Sequence, residues 1–308
     1  MLTKTLIYIA GPTGVGKTKL SLEIAKLFDT DIISCDSRQF YKEMNIGTAV
    51  PTSKELKEVK HHLIQHKSIH EKYTVGDFEK EALQILDFLF KKKDFVIMVG
   101  GSGMYADSLM FGLDSFPKVS SEIRSQIELF HKTHGLKGLQ ELLLKKDPKY
   151  YTRVDIKNSI RLIRALEVCI SSEKPYSSFL GKEKKPRNFV SKIVILERPR
   201  KDLYERINLR VDQMIERGLI KEAQELLTKK DLSPLKTVGY KELFPCFEGK
   251  ESFQNGFLGI KKNTRRYAKR QITWFKRHSE SKWIDYQSIE QSIQDISSSF
   301  NESRSLME

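Results

Sequence analysis

The chain has 308 residues, room for one large or two modest domains. Hydrophobic residues make up 39% and charged residues 31%, so a packed core is expected, and the longest apolar runs, such as Phe95–Val99, are far too short to span a bilayer. A net charge of +14, from 54 Lys and Arg against 40 Asp and Glu, exceeds what a small-molecule kinase needs and suits a protein that holds a polyanion.

Met1-Leu2-Thr3-Lys4 leads straight into the first apolar run, Leu6–Ala10, leaving no room for a signal peptide. Gly11-Pro12-Thr13-Gly14-Val15-Gly16-Lys17-Thr18 follows and fits G-x-x-x-x-G-K-[ST] between a strand and a helix. Backbone N–H groups of such a loop surround a phosphate, Lys17 adds a point charge, and the Thr18 hydroxyl is placed to hold Mg²⁺. The helix starting near Lys17 directs its positive end at the same place. This pattern calls for a phosphate or diphosphate ligand and leaves the reaction open.

A second β-rich run, Asp31–Cys35, ends in Asp36-Ser37-Arg38-Gln39-Phe40-Tyr41. Ligands of open parallel sheets bind beyond the carboxyl ends of the strands, which puts Asp36 beside the phosphate loop. Its carboxylate can hold Mg²⁺ through water or accept a proton from a nucleophile; the plain alternative is a turn cap. An amphipathic helix is expected over Phe78–Lys92, with Phe78, Ala82, Ile85, Leu86 and Leu89 on one face. The third run, Phe95–Val99, ends in Gly100-Gly101-Ser102-Gly103-Met104-Tyr105, where a backbone can approach a ligand and Ser102 offers a hydroxyl.

Roughly 90 residues then separate the third run from the fourth, Lys192–Leu196, too many for one crossover. Residues 116–187 read as a helical insertion, with helices over Ser121–His131 and Lys157–Ser171 and a basic linker at 181–187. In the second of these helices Arg161 and Arg164 lie one turn apart, with Ile160, Ile163 and Leu166 on the buried side. Such a basic face can position a nucleic-acid backbone, and simple surface ion pairs are the alternative. The α/β core is thus expected to comprise residues 1–115 and 188–308.

Helices are expected over Asp202–Arg217, with Arg206 and Arg210 on one face, and over Lys221–Lys229. Arginines facing a phosphate loop stabilise charge on a leaving phosphate. A long helix is expected near Ile260–His278. Eight of the seventeen residues from Lys261 to Arg277 are basic and none is acidic. Tyr267, Gln271 and Trp274 form one stripe on it, read as core packing, and Lys262, Arg266, Lys269 and Arg270 lie round much of the rest. Like charges at that spacing cost stability, which an RNA backbone would offset. Cys35, Cys169 and Cys246 form no C-x-x-C pair, so buried thiols in a reducing cytoplasm are expected, with neither disulfide nor zinc.

Taken in order, GPTGVGKT (11–18), DSRQFY (36–41), IGTA (46–49), HHLI (61–64), GGSGMY (100–105), NSIRLIRALE (158–167), YERINLRVDQM (204–214), GL (218–219), VGYKE (238–242) and TRRYAKRQITWF (264–275) resemble the bacterial tRNA dimethylallyltransferase (tRNA isopentenyltransferase) family. The resemblance implies a P-loop NTPase-like parallel sheet flanked by helices, with a helical insertion domain that binds tRNA. It also implies transfer of a dimethylallyl group from dimethylallyl diphosphate to N6 of adenosine 37, beside the anticodon, in tRNAs reading codons that begin with U. Mg²⁺ is the implied cofactor. The loop, a nucleotide-binding and ATP-binding motif in its general use, would here hold a diphosphate leaving group. Carried over, Asp36 is the general base, Ser102 stands where the family has Thr, and Arg210 contacts the diphosphate with Arg206 in reserve. Ser37, Arg38, Gln39, Arg124, Asn158, Arg161, Arg164, Arg266, Lys269 and Arg270, with Asp36 and Ser102, fall in segments expected to contact the tRNA anticodon stem-loop. Val50 replaces the family's Lys after IGTA, and Gln65 its Asp after HHLI. His61 and His62 resemble metal ligands, but a packing role in a helix or loop is expected. A monomer without membrane attachment is implied. Three other readings remain at this point. One is a prenyltransferase acting on free AMP, ADP or ATP, another a small-molecule or nucleoside kinase, and the last an RNA-binding module without catalysis.

Overall fold

The computed structural model describes residues 4–181, 185–286, 288–294 and 296. Along the chain, β1 (Thr5–Ala10) leads to α1 (Lys17–Leu27), β2 (Ile32–Ser34), α2 (Ser53–Glu58), β3 (His61–His62), α3 (Val75–Leu89), β4 (Phe95–Val99) and α4 (Gly103–Phe111). Then α5 (Ser121–Lys146), α6 (Pro148–Tyr151) and α7 (Ser159–Ser172) precede β5 (Val190–Glu197), α8 (Arg200–Glu216), α9 (Leu219–Glu225), α10 (Tyr240–Phe247), α11 (Phe253–Phe275) and β6 (Lys282–Asp285). Among the described residues the strands form one parallel sheet, in the order β3-β2-β4-β1-β5-β6.

The central strands are apolar without interruption because both faces are covered. Leu6, Tyr8 and Ala10 of β1 join Ile33, Val96 and Met98 in one core. Ile7 and Ile9 point the other way, to Ile32, Ile97 and Leu20. Two strands were not foreseen. β3 is only two half-buried histidines, and β6 buries only Ile284. Both are edge strands, with too few buried side chains to leave a pattern.

Helix boundaries follow capping chemistry. α3 starts ahead of the expected Phe78 because Thr74 accepts from Asp77 N–H while the Asp77 carboxylate reaches back to Thr74. It ends at Leu89, short of the expected Lys92; Phe78, Ala82, Leu86 and Leu89 are buried and Ile85 half-buried. α11 begins at Phe253, behind a Ser252 cap, well before the expected Ile260, and ends at Phe275. α5 runs far past His131, broken at Gly135, where φ is 62°.

The chain divides into two compact units, Met1–Phe111 with Pro186–Glu308, and Gly112–Lys185. The second has its own core of Ile127, Leu139, Leu143, Leu162, Ala165 and Leu166. Ile160, expected on the buried side of α7, is 77% exposed there, because the packed stripe runs through Leu162, Ala165, Leu166 and Cys169 instead. Among the described residues no helix is long and apolar enough to cross a membrane.

Candidate active site

The loop between β1 and α1 is built as its glycines require, with φ of 140°, 84° and 121° at Gly11, Gly14 and Gly16. Four of its carbonyls are taken by side-chain cations. Lys17 Nζ donates to Gly11 O (2.9 Å) and Pro12 O (3.0 Å), Arg206 Nε to Gly14 O (2.9 Å) and Arg198 Nε to Val15 O (2.9 Å). Arg198 also lies over the Tyr286 ring, 4.5 Å from its centroid. The buried stripe Leu203, Ile207, Val211 and Met214 seats α8 against the core, and Ile207 and Leu203 meet Gly14. That packing turns Arg206 and Arg210 toward the loop.

Beyond β2, Asp36 Oδ1 accepts the Arg38 N–H at 3.0 Å, and its carbonyl accepts the Gln39 N–H at 3.0 Å. The residue caps its turn and still faces open space. Ser102, beyond β4, accepts the Ser37 N–H at 3.0 Å and donates to Ser37 Oγ at 3.1 Å, stapling the glycine turn to the Asp36 turn.

Two cavities meet here. One, of about 490 Å³, is lined by Gly14, Gly16, Lys17, Thr18 and Arg206. The other, of about 330 Å³, is lined by Ser37, Arg38, Ile207, Val211, Tyr267 and Arg270. Thr13, Asp36 and Arg210 line both. Asp36 and Arg210 thus stand where a ligand in the phosphate loop and a ligand in the second cavity would touch.

The junction has an excess of positive charge. Burial lowers the Lys17 ammonium to about 8; nearby Arg210 pushes it the same way, and Asp36 opposes them. Burial, then Arg217 and Arg206, lowers Arg210 from its ordinary value, again against Asp36. One carboxylate does not compensate these cations, so the site favours an added anion. Cys35, beneath it, is pushed up to about 12, chiefly by burial, and is inert as a nucleophile. Cys169 and Cys246 are likewise buried and free.

The residues expected to contact RNA have different surroundings. Arg266, Lys269 and Arg270 are exposed along α11. Arg38 Nη1 donates to Pro234 O at 3.4 Å, and the Gln39 amide is committed to the carbonyls of Thr48 (3.2 Å) and Ala49 (3.0 Å). In the helical unit, Arg124 and Arg161 are exposed, and Asn158 caps α7 by accepting Arg161 N–H at 3.2 Å. Arg164 pairs with Glu167 at 3.3 Å and lies over the Phe116 ring. α11 is less isolated in charge than its sequence implies, because Lys261 pairs with Asp212 of α8 (2.6 Å) and Arg265 donates to Asn208 (2.6 Å).

Thr18 and Asp36 both line the larger cavity. The Thr18 hydroxyl and the Asp36 carboxylate are hard oxygen donors, the class of ligand that fits Mg²⁺. Among the described residues no three His, Cys, Asp or Glu groups gather as a separate metal site. His61 and His62 lie in a strand, not a helix or loop, and His61 also lines the larger cavity. Their rings meet Val59 O and Asp31 Oδ2, each at 2.8 Å.

Gln271 has a function its helical stripe did not reveal. Its Oε1 accepts the Thr13 N–H at 2.9 Å and its Nε2 donates to Gly101 O at 2.9 Å, joining the phosphate loop to the glycine turn. A Cβ at Gly101 would run into that amide. The one sequence signal was a lone amide within an aromatic stripe. Trp274, in the same stripe, donates to Asp107 at 3.1 Å.

Comparison with known proteins adds independent support. The family model for IPP transferase matches residues 39–278. The tRNA dimethylallyltransferase of Flavobacterium psychrophilum is 52% identical over 287 residues, covering 91% of this chain and 94% of that one. That of Christiangramia forsetii is 51% identical over 294 residues, covering 96% and 97%. Among solved structures, the tRNA isopentenylpyrophosphate transferase of Bacillus halodurans superposes with a TM-score of 0.71 at 34% identity, over 99% of both chains. A eukaryotic dimethylallyltransferase acting on tRNA gives 0.80 at 26% identity, over 94% of this chain and 75% of that one. Similarity along nearly the whole sequence, on a sheet whose phosphate loop and Asp36 turn lie beyond the carboxyl ends of its strands, shows that the chain belongs to the IPP transferase family.

Proposed function

We propose that this protein transfers the dimethylallyl group of dimethylallyl diphosphate to N6 of adenosine 37, in tRNAs that read codons beginning with U. The products are N6-(dimethylallyl)adenosine and diphosphate. The observation that carries this reading is the placing of Asp36 and Arg210 at the meeting of two cavities, one of them formed by the phosphate loop.

In this reading the diphosphate lies along residues 11–18, with its charge met by Lys17, Arg210 and loop N–H groups. Lys17 gives up its bonds to Gly11 O and Pro12 O to reach it. Adenosine 37 leaves the anticodon-loop stack and enters the smaller cavity, which Arg38 and Arg270 help to line. The exocyclic amine is a weak nucleophile, because its lone pair is delocalised into the ring. As the N6–C1 bond forms and the C1–O bond breaks, Asp36 accepts the N6 proton. The diphosphate departs with the bonding pair, and Arg210 and Lys17 stabilise that charge where it develops. The Thr18 hydroxyl would hold Mg²⁺, which when bound would supply further neutralisation of the leaving group. Ser102 holds the Asp36 turn in register. The exposed cations Arg266, Lys269 and Arg270, with Arg124 and Arg161 of the helical unit, take the RNA backbone. The chain is proposed to act as a monomer in the cytoplasm, where its tRNA substrate is found.

The test is transfer of radiolabel from dimethylallyl diphosphate, with Mg²⁺, to unmodified tRNA carrying A36-A37-A38. A tRNA with A37 changed to G, and free AMP, are run beside it. Label on the first tRNA alone is expected. Label on AMP would move the reaction to free nucleotides, and no label on any acceptor would overturn the proposal.

A further inference from the structure

The segment 45–49, which includes the Ile46-Gly-Thr-Ala49 motif, forms a wall shared by both cavities. Gly47 and Thr48 line the smaller one and Ala49 the larger. Its shape does not come from its own side chains alone. The Glu222 carboxylate of α9 accepts three consecutive backbone N–H groups, from Asn45 (3.1 Å), Ile46 (2.8 Å) and Gly47 (2.8 Å). The Tyr240 hydroxyl, from α10, donates to the same carboxylate at 2.8 Å. Tyr240 also closes on the loop sterically, since a Cβ at Gly47 would lie 2.6 Å from its ring. Three adjacent amides around one anion are the geometry by which backbones bind phosphate; here the anion is built in.

The clamp continues to Asp36. The loop carbonyls of Thr48 and Ala49 accept the Gln39 amide, and Gln39 N–H donates to Asp36 O at 3.0 Å within the turn that holds the carboxylate. We propose that Glu222 is a positioning residue for the transfer reaction, fixing loop 45–49 and, through Gln39, the aim of Asp36 at the reacting amine. The proposal rests on the transfer reading above. It assigns the Tyr of the Val-Gly-Tyr-Lys-Glu segment and the Gly of Ile-Gly-Thr-Ala to one clamp, with Glu222 between them.

The test uses full-length Glu222→Gln and Tyr240→Phe, with rates expressed per dimethylallyl diphosphate-binding site so that any unfolded fraction drops out. A glutamine leaves one oxygen to accept and an NH₂ that cannot, so one pair of the clamp's bonds is lost. Single-turnover transfer to tRNA is expected to fall about 10- to 100-fold in Glu222→Gln and about 3-fold in Tyr240→Phe. Affinity for dimethylallyl diphosphate should stay within about twofold, because the phosphate loop is untouched. Hydrogen exchange should accelerate at amides 45–47 and not at 11–18. Unchanged transfer and exchange in Glu222→Gln would overturn the proposal, as would a parallel loss of diphosphate binding. If the wild-type protein transferred nothing, the transfer reading would fall with it, and the exchange data would still decide whether Glu222 holds the loop.

Discussion

In the proposed transfer the chemistry rests most on Asp36, at the cavity junction, and Lys17, in the phosphate-loop cavity, and each has its own signature. Asp36→Asn keeps an oxygen for the Arg38 N–H but cannot take a proton. Turnover should fall about 10²- to 10⁴-fold, while tRNA affinity holds and diphosphate affinity holds or rises, because a repelling charge is gone. Single-turnover rates beside equilibrium binding check this, and a near-normal rate would remove Asp36 as the base. Lys17 predicts a pH dependence. Free, it titrates at about 8, brought down chiefly by burial. Bound diphosphate favours the ammonium and raises that value in the complex, so binding takes up a proton above about pH 8. The dissociation constant should therefore rise about tenfold per pH unit beyond that point and stay level just below it. Calorimetric titration between pH 7 and 9.5 measures this slope, which Lys17→Met should abolish.

The elements bring these residues together, and α11 does so by a contact that spacing did not disclose. Gln271→Leu would strand the Thr13 N–H and the Gly101 carbonyl, each buried group costing about 1–3 kcal/mol. Stability to denaturant and diphosphate affinity should fall together, whereas Thr273→Ala, on the exposed side of the same helix, should change neither. The contrast also marks what the sequence could disclose. β1, β2, β4 and β5 were legible because burial on both faces leaves an unbroken apolar run. His61–His62 and Lys282–Asp285 were not, since an edge strand buries too little to leave one. The phosphate loop and Asp36 were legible from spacing next to strand ends. Gln271 and Glu222 were not, because each acts through backbone groups distant in sequence, and an amide or carboxylate on a helix looks like any solvated residue. Ile160 shows the opposite failure, an apolar residue assigned to a core from which α7 turns it away.

For the whole molecule, the excess of positive charge becomes a statement about binding. Part of the charge on α11 is already answered within the protein, since Lys261 pairs with Asp212 and Arg265 meets Asn208. Arg266, Lys269 and Arg270 are exposed, and no acidic side chain lies in their stretch of helix. Each one that meets a tRNA phosphate releases counterions, so affinity must fall as salt rises. Neutralising all three to Gln should reduce the slope of log K against log salt by about 2–3 and weaken tRNA binding most at low salt. Dimethylallyl diphosphate affinity should change far less, because the site proposed for that ligand is lined by Lys17 and Arg210. Binding isotherms for unmodified tRNA at several salt concentrations, wild type beside the triple variant, give both quantities. An unchanged slope would mean that the RNA lies on another basic face, and Arg124 and Arg161 of the helical unit would be the next to neutralise.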